Sequence, residues 1–325
     1  MRWLVWLTGV CCATLVQAGA LDGGRCVAPA KAGGGFDLTC QFTRNVLLAA
    51  GQTQQPIAIN HQPGGIGALA FKRAVQQQPP DGQTVVAFSS GSLLNLAQGR
   101  FGPHAPDDVR WLAVLGMDHG VVAVRRDSPH KTLGQLLDAL RAQPKAVVFG
   151  AGGSSSAAFI QSWLKAALLA RAAGVSHKEM RFVAFEGGGE ALSALTGRHV
   201  QVLAGDAAEV GRYLDQGAEI RVLATLSAQR LGGRWANMPT AREQGFDVRW
   251  PIVRGLYMGP RVSDRDLREW SDSLARAMAH PTVARELASV GMEPAWITGP
   301  ELQRLIQEEV ARHRQLAAEF GLMRP

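Results

Sequence analysis

The chain has 325 residues, 46% of them hydrophobic, and a formal net charge of +7. This length allows two domains of ordinary size, and this hydrophobic content excludes a generally disordered chain. The basic residues are scattered, and no run alternates Lys or Arg with aromatic residues, so the charge does not indicate a nucleic-acid surface. We expect a folded protein whose basic surface is either simply solvated or suited to small anions.

The first twenty residues have the pattern of a secretory signal peptide. Arg2 supplies the positive start, residues 3–16 form the apolar middle, and residues 18–20 (Ala-Gly-Ala) are a small-residue cleavage site. The apolar stretch is too short for a good membrane span, and no later segment qualifies. We predict that residues 1–20 are removed and that the mature protein is exported and soluble, with a lipid anchor on a leader cysteine as a minor alternative.

Two cysteines, Cys26 and Cys40, remain after the leader. An even pair in an exported protein invites a disulfide, which would bracket the first glycine-rich segment and tie a strand to the next helix. The alternative is that both are small buried hydrophobic side chains. A two-cysteine metal site lacks spaced histidine partners, so no metal site is predicted.

Strands alternate with helices along most of the chain, which favours parallel α/β sheets. No low-complexity linker separates the two halves, so the sequence favours two lobes joined by strands over two independent domains joined by a flexible linker. The predicted strands are at residues 26–29, 56–60, 84–88, 109–115, 120–124, 146–149, 181–185, 200–203, 220–224 and 253–258. The predicted helices are at residues 37–48, 68–77, 133–142, 157–173, 190–196, 207–215, 264–279 and 300–320.

Three glycine-rich segments lie between a strand and a helix, at residues 30–37, 151–157 and 186–191. Glycines let the backbone turn tightly and approach a ligand, and the free N–H groups at a helix start favour an anion. The polar turns at residues 63–67 and 89–92 also follow strands, and ligands of parallel sheets collect at the carboxyl ends of strands. Together these segments predict N–H donors that converge on one acidic ligand.

The glycine motifs recur with a characteristic order and spacing, and the chain thereby resembles the extracytoplasmic solute receptors of the tripartite tricarboxylate transporter family, the Bug-type receptors. The resemblance covers essentially the whole mature chain. Where most members carry a Tyr-Lys-Gly loop, this chain has Phe185-Glu186-Gly187, which is similar to the tricarboxylate (citrate) branch. The motifs are the Gly-Gly-Gly-x-Asp loop at 29–37, Pro-Gly-Gly-x-Gly at 63–67, Pro-x-Asp-Gly at 79–82, Phe-Gly-Ala-Gly-Gly-Ser at 149–154 and Asn-x-Pro-Thr at 237–240.

The resemblance implies a two-lobed α/β fold of the periplasmic-binding-protein (Venus flytrap) kind, in which each lobe is a mostly parallel sheet flanked by helices. It assigns residues 21–120 and 247–325 to lobe 1 and residues 121–246 to lobe 2, joined by crossover strands. It implies a periplasmic receptor, expected to be a monomer without a cofactor, that closes on a small citrate-like tri- or dicarboxylate. The receptor would deliver this ligand to a membrane permease of one large and one small subunit.

The resemblance also implies the ligand contacts. Acidic side chains among them would repel an anion unless they face away, bond a ligand hydroxyl or are bridged by water, and Asp37 is equally suited to be a helix cap. The first-lobe contacts are Gly34, Gly35, Phe36, Asp37, Gly65, Ile66, Gly67, Ser89, Ser90, Gly91 and Ser92. The second-lobe contacts are Gly152, Gly153, Ser154, Ser155, Ser156, Phe185, Glu186, Gly187, Gly188 and Asp206.

A ligand with several carboxylates calls for cationic donors, because charge-assisted hydrogen bonds are about twice as strong as neutral ones. Lys31, in the first glycine-rich segment, and Arg254, where the chain re-enters the first lobe, are the candidates. The alternatives are a solvated loop position for Lys31 and an inter-lobe salt bridge for Arg254.

Two other functions remain open from the sequence. A receptor of this kind could report its ligand to a membrane sensor instead of feeding a permease. An exported enzyme acting on a small carboxylic acid is a remote alternative, because the chain has no Gly-Lys-Ser/Thr phosphate loop and no Gly-x-Ser-x-Gly nucleophile elbow. The sequence does not rank citrate against related acids or show whether a cation accompanies them.

Overall fold

The computed structural model describes residues 21–152, 158–185 and 188–323. The predicted signal peptide therefore lies outside the described residues. The strands are β1 (Arg25–Ala28), β2 (Ala58–His61), β3 (Thr84–Ser89), β4 (Arg110–Arg125), β5 (Val148–Gly152), β6 (Arg181–Phe185), β7 (Val202–Asp206), β8 (Ile220–Thr225), β9 (Pro251–Met258) and β10 (Glu293–Ile297).

The helices follow most of these strands, as the predicted alternation requires. They are α1 (Gly35–Ala49), α2 (Ala68–Gln76), α3 (Ser90–Ala97), α4 (Leu133–Ala142), α5 (Ala158–Ala172), α6 (Gly188–Thr196), α7 (Ala207–Asp215), α8 (Asp264–Met278), α9 (Val283–Ser289) and α10 (Gly299–Glu319). Four short 3₁₀ turns lie at 65–67, 106–108, 233–235 and 242–244.

The strands form two sheet regions that share the long strand β4. In the first region β2, β1 and β3 are parallel, and β9 and β10 add antiparallel strands next to β3 and β4. In the second region β7, β5 and β6 are parallel, and β7 and β8 pair antiparallel with the end of β4. The two regions are the sheets of two lobes, so the predicted two-lobed α/β fold is confirmed.

Strand β4 is where one lobe passes into the other. Its residues up to His119 pair with β9, and its residues from Gly120 onward pair with β7 and β8. The sequence prediction of two separate strands here was wrong, because Met117–Gly120 stays extended and hydrogen-bonded. Trp250 completes the junction, since it accepts the N–H of Gly120 and donates its own N–H to Leu226.

Each sheet region has apolar helices on both faces, which explains why its central strands are almost wholly buried. In the first lobe, α1 and α8 pack on one face and α2, α3 and α10 on the other. In the second lobe, α4 and α5 cover one face and α6 and α7 the other. The end of α10 also reaches the second lobe, because Phe320 packs against Trp163.

A disulfide joins Cys26 in β1 to Cys40 in α1, with the two Cα atoms 5.6 Å apart. Both side chains are fully buried in the core of the first lobe. The bond therefore closes the strand–loop–helix unit that contains the first glycine-rich segment.

Candidate functional site

The first glycine-rich segment is held by its own aspartate. The Oδ2 atom of Asp37 accepts hydrogen bonds from the backbone N–H of Gly33 and from Nε2 of Gln41, both at 2.7 Å. Its Oδ1 atom shares a hydrogen bond of 2.8 Å with Nε2 of His61. Because Asp37 is only 3% exposed, these contacts account for its carboxylate as a loop-bracing group. Its predicted contact with a ligand stays a prediction.

The second and third predicted first-lobe segments lie side by side. A Cβ placed on Gly67 would lie 3.6 Å from Oγ of Ser92, so the 3₁₀ turn at 65–67 faces the start of α3. Residues 89–92 were predicted to be a turn, but Ser89 instead caps helix α3, and its Oγ accepts the N–H of Gly91. The first-lobe segments thus present two helix starts and one 3₁₀ turn.

Ser90 has a structural partner at the lobe junction. Its Oγ accepts the N–H of Val253 at 3.0 Å and lies 3.4 Å from a carboxylate oxygen of Glu309. The side chain is 1% exposed. Ser90 therefore links α3 to β9 and α10, and its contact with a ligand stays a prediction.

In the second lobe the parallel strands β5, β6 and β7 end at one edge of the sheet. Gly152, the last residue of β5, pairs with Phe185, the last residue of β6. Asp206 ends β7, and α7 begins at the next residue. The predicted contacts Gly153, Ser154, Ser155, Ser156, Glu186 and Gly187 lie outside the described residues, and Gly188 opens α6.

A buried network of two cations and two carboxylates lies where β4, β7 and β9 meet. The Nε and Nη2 atoms of Arg254 donate to Oδ2 of Asp118 at 3.2 and 2.5 Å. Nη2 of the same guanidinium also donates to Oδ2 of Asp206 at 3.3 Å, and Lys165 donates to Oδ1 of Asp206 at 2.6 Å. Arg254, Asp118 and Lys165 are each at most 3% exposed.

Desolvation and pairing act in opposite directions on these groups. Burial raises the pKa of Asp118 above its ordinary value, although Arg254 opposes that shift. Burial also acts to raise the pKa of Asp206, but Lys165 and Arg254 outweigh it and hold that pKa below its ordinary value. Burial acts to lower the pKa of Arg254, but its two carboxylate partners raise it. Arg254 is therefore a permanent cation inside this network.

The guanidinium of Arg254 also touches the first glycine-rich segment. Its Nη1 atom lies directly over Gly35, the first residue of α1, and leaves no room for a Cβ there. The structure thus shows the salt-bridged alternative for Arg254, whose partner Asp206 belongs to the other lobe, and it places the guanidinium at the α1 start. Its predicted contact with a ligand stays a prediction. Lys31 is exposed in the same segment.

A second arginine reaches this segment from the opposite lobe. A Cβ placed on Gly33 would lie 2.6 Å from Nη1 of Arg212, which projects from α7. Gly33 has φ of +87°, a conformation that favours glycine. Close by on α7, the hydroxyl of Tyr213 donates to Oε1 of Glu209 at 2.8 Å, and burial raises the pKa of Glu209.

Sequence reasoning missed four charged members of this site: Asp118, Lys165, Glu209 and Arg212. Asp118 and Lys165 did leave a signal, since each is a charged residue in the interior of a mostly apolar strand or helix. A charge in such a position is fully buried only when it is paired. Arg212 and Glu209 left none, because both are ordinary residues for an amphipathic helix.

A separate groove of about 700 Å³ runs along the other flank of the junction, beside Trp250 and α10. None of the predicted ligand contacts that the structure describes lines it. Its charged residues pair with one another, as in Arg312 with Glu309 and Arg171 with Glu319. These pairs leave little charge in the groove for an acid to use.

Within the described ranges, no three His, Cys, Asp or Glu side chains are grouped so as to hold a metal ion. A search of the same residues for a helix with the length and hydropathy of a membrane span found none.

Two lobes that share a long crossing strand, with the start of α1 from the first lobe and the end of β7 from the second at one charged junction, define the class of two-lobed solute-binding proteins. The family model for the tripartite tricarboxylate transporter family receptor matches residues 43–322. The chain therefore belongs to that receptor family, and the predicted family is confirmed.

Curated relatives and solved structures agree with this assignment. The "UPF0065 protein in gbd 5'region" of Cupriavidus necator is 27% identical over 271 residues, which cover 82% of this chain and 79% of the relative. The "UPF0065 protein in tcbD-tcbE intergenic region" of a Pseudomonas species is 26% identical over 304 residues, which cover 91% of this chain and 85% of the relative.

Three solved structures share the fold. The periplasmic binding protein BugD has a TM-score of 0.79 at 18% identity, covering 94% of this chain and 99% of its own. MatC from Rhodopseudomonas palustris, with bound malate, has a TM-score of 0.74 at 22% identity, covering 91% and 98%. A second R. palustris protein, with adipate, has a TM-score of 0.79 at 21% identity, covering 92% and 97%.

Proposed function

We propose that this protein is a periplasmic receptor that closes on a small tri- or dicarboxylate of the citrate type and delivers it to the family's membrane permease. The observation that carries the proposal is the meeting of the two lobes at residues 33–35. There the Arg254 guanidinium from β9 and the Arg212 guanidinium from the second lobe both lie against a helix start. Helix starts and guanidinium groups are the two commonest ways in which proteins bind carboxylates.

The relatives support the chemical class of the ligand. Malate and adipate, the acids bound in two of the structures above, are both dicarboxylates. The citrate-like specificity is our inference from the loop sequence at Phe185 and from the first-lobe motifs. The same relatives support a receptor over an exported enzyme, and a role in sensing would use the same binding step.

The proposed binding surface combines the described contacts with loop residues outside them. In the first lobe we assign it to Lys31, residues 34–37, residues 65–67 and residues 89–92, together with Arg254. In the second lobe we assign it to residues 152–156, residues 185–188 and Asp206. Asp37 and Asp206 are committed to protein partners, so we propose that they orient the surface and meet only hydroxyl groups of the ligand or water.

We propose that the lobes close about the crossing strands, with lobe 1 formed by residues 21–120 and 247–325 and lobe 2 by residues 121–246. A ligand that touches both lobes only when they are closed shifts the equilibrium towards that form. The hinge would lie near residues 117–121 of β4 and residues 245–253 before and within β9.

The test is a ligand screen with the protein lacking residues 1–20. Thermal shift with citrate, isocitrate, tricarballylate, malate and adipate should reveal at least one acid that stabilises the protein, and calorimetry should then give its affinity. Arg254→Ala should weaken that acid about tenfold or more, as expected for the loss of a charge-assisted contact. Absence of stabilisation by every acid, or turnover of any of them seen by NMR, would refute the receptor proposal.

A further inference from the structure

Two guanidinium groups converge on one short stretch of backbone from different parts of the fold. Arg254 comes from β9 and lies over Gly35, whereas Arg212 comes from α7 of the second lobe and lies over Gly33. The positive end of the α1 macrodipole points to the same place, because α1 begins at Gly35 and runs for 15 residues. Three sources of positive potential therefore meet where an anion is best stabilised.

One nitrogen of the Arg254 guanidinium faces the start of α1 without a hydrogen-bond partner among the described residues. Its side chain is only 3% exposed, and its Nε and Nη2 atoms bond Asp118 and Asp206. Within the described part of the chain Nη1 forms no hydrogen bond, although it is the atom that faces Gly35. Nη1 is not one of the buried atoms that lack a partner, so it keeps some accessible surface through which a ligand atom can accept its N–H.

The positive charge of Arg254 is nevertheless already matched. Lys165 and Arg254 supply two positive charges, and Asp118 and Asp206 supply two negative ones, all within one bonded network. An acid that binds here needs a further cation if its charge is to be compensated.

Arg212 is the cation of this site that forms no ion pair with the described residues. It lies within ion-pair distance of none of the described carboxylates, and its Nε atom is buried there without a hydrogen-bond partner. Its guanidinium stacks near the ring of Tyr213, at 5.7 Å, which orients the planar group without neutralising it. The acid on the same face of α7, Glu209, is occupied by the Tyr213 hydroxyl and has a raised pKa because of burial.

We propose that Arg212 is the second-lobe residue that binds a carboxylate of the ligand, and that this carboxylate sits at the start of α1 between Arg212 and Nη1 of Arg254. The inference rests on the proposed receptor function and deepens it. In this arrangement one carboxylate of the ligand contacts both lobes, so that ligand binding and lobe closure become the same event.

The experiment compares three variants of the protein lacking residues 1–20, with malate, adipate and citrate as the probes. Arg212→Gln removes the charge, Arg212→Lys keeps the charge without the planar fork, and Arg230→Gln is the control. Arg230 is also a second-lobe arginine, but it pairs with Glu243 on the surface. Calorimetry gives the affinities, and small-angle scattering gives the radius of gyration of each ligand-free protein.

For the acid that the unmodified protein binds most tightly, Arg212→Gln should lower the affinity about 10- to 100-fold, the range for a hydrogen-bonded charge. Arg212→Lys should recover part of that loss, because it restores the point charge. Arg230→Gln should change the affinity less than about twofold. The ligand-free radius of gyration should be the same in all four proteins.

Two results would overturn the inference while leaving the receptor function intact. One is an Arg212→Gln affinity within about threefold of the unmodified protein, with both melting normally. The other is an affinity loss accompanied by an expanded ligand-free protein, since that would mean that Arg212 holds the lobes together instead of holding the ligand. If neither these three acids nor isocitrate and tricarballylate bind the unmodified protein, the proposed function itself fails, and this inference fails with it.

Discussion

Removing one partner from the buried pair between Asp118 and Arg254 should be among the most destabilising single changes in this protein. The Asp118 side chain is fully buried and uses both oxygens. Oδ1 accepts the backbone N–H groups of His119 at 2.7 Å and Ala208 at 3.1 Å, and Oδ2 accepts two N–H groups of Arg254. Asp118→Asn keeps the volume but turns one acceptor into a donor that faces another donor.

The magnitude follows from the burial of the surviving partner. With Asn at position 118, Arg254 keeps only the 3.3 Å contact with Asp206 and remains 3% exposed. Breaking a buried pair in this way costs about 3–5 kcal/mol, since it leaves a charge without its partner. Arg254→Met should lower the free energy of unfolding by a similar amount, because it leaves the buried Asp118 without its cationic partner.

Urea unfolding followed by tryptophan fluorescence measures these costs, provided that the transition is two-state. The double variant Asp118→Asn with Arg254→Met should be less destabilised than the sum of the two single variants, because neither charge is then left alone. Glu219→Gln is the control: its pair with Arg126 is exposed, so the cost should stay below about 1 kcal/mol. Single-variant costs below about 1 kcal/mol, or strictly additive costs, would refute the view that this pair is buried and coupled.

Three further changes test other parts of the structure. Cys26→Ser with Cys40→Ser should lower the free energy of unfolding by about 3 kcal/mol, the value for a closed loop of this length, and reductant should then no longer affect the melting temperature. Glu209→Gln should leave stability unchanged below pH 4.5 and increase it at higher pH. The reason is that burial raises the pKa of Glu209, so the native state loses stability as the pH rises from the ordinary pKa of this side chain towards its pKa in the folded protein. A difference in melting temperature between the variant and the unmodified protein that is the same at pH 4 and pH 8 would contradict this. Glu309→Gln should have the opposite sign. Burial opposes ionisation of Glu309, but the nearby His313, whose Nε2 atom is 3.4 Å away, and bonds from Arg312 lower its pKa to about 2. The variant should therefore lose about 3 kcal/mol of stability above pH 4.5 and less at pH 3, as measured by urea titrations at two pH values.

Much of the fold could be predicted because the alternation of strands and helices is a local property of the chain. Helix α8 was predicted at residues 264–279 and found at Asp264–Met278, since Ser263 caps it and charged residues mark its outer face. Strand β10 was missed because it pairs at a register shift with β4 and alternates only weakly. Its position depends on a strand about 180 residues away, which no local pattern reports.

The backbone segments of the candidate site could be predicted from the sequence, but only some of its charged side chains could. Glycines indicate where the backbone comes close to a ligand or to another part of the protein, so residues 33–35 could be identified from the sequence. Arg212 could not be found, because it reaches this segment from α7 of the second lobe and no local pattern in the sequence reports that approach. Arg254 was a candidate because it lies where the chain re-enters the first lobe, but its partners Asp118 and Asp206 are far away in sequence.

The balance of charge at the lobe junction bears on which acid the receptor prefers. Because Lys165 and Arg254 are matched by Asp118 and Asp206, the junction brings no net charge of its own to the ligand. A dicarboxylate could then be compensated by Arg212 together with the start of α1, whereas a tricarboxylate needs one cation more. Lys31 is the described basic residue placed in the same segment, so citrate binding should depend on Lys31 more strongly than malate binding does. A Lys31→Gln variant that weakened both acids equally would show that the third carboxylate of citrate is bound elsewhere.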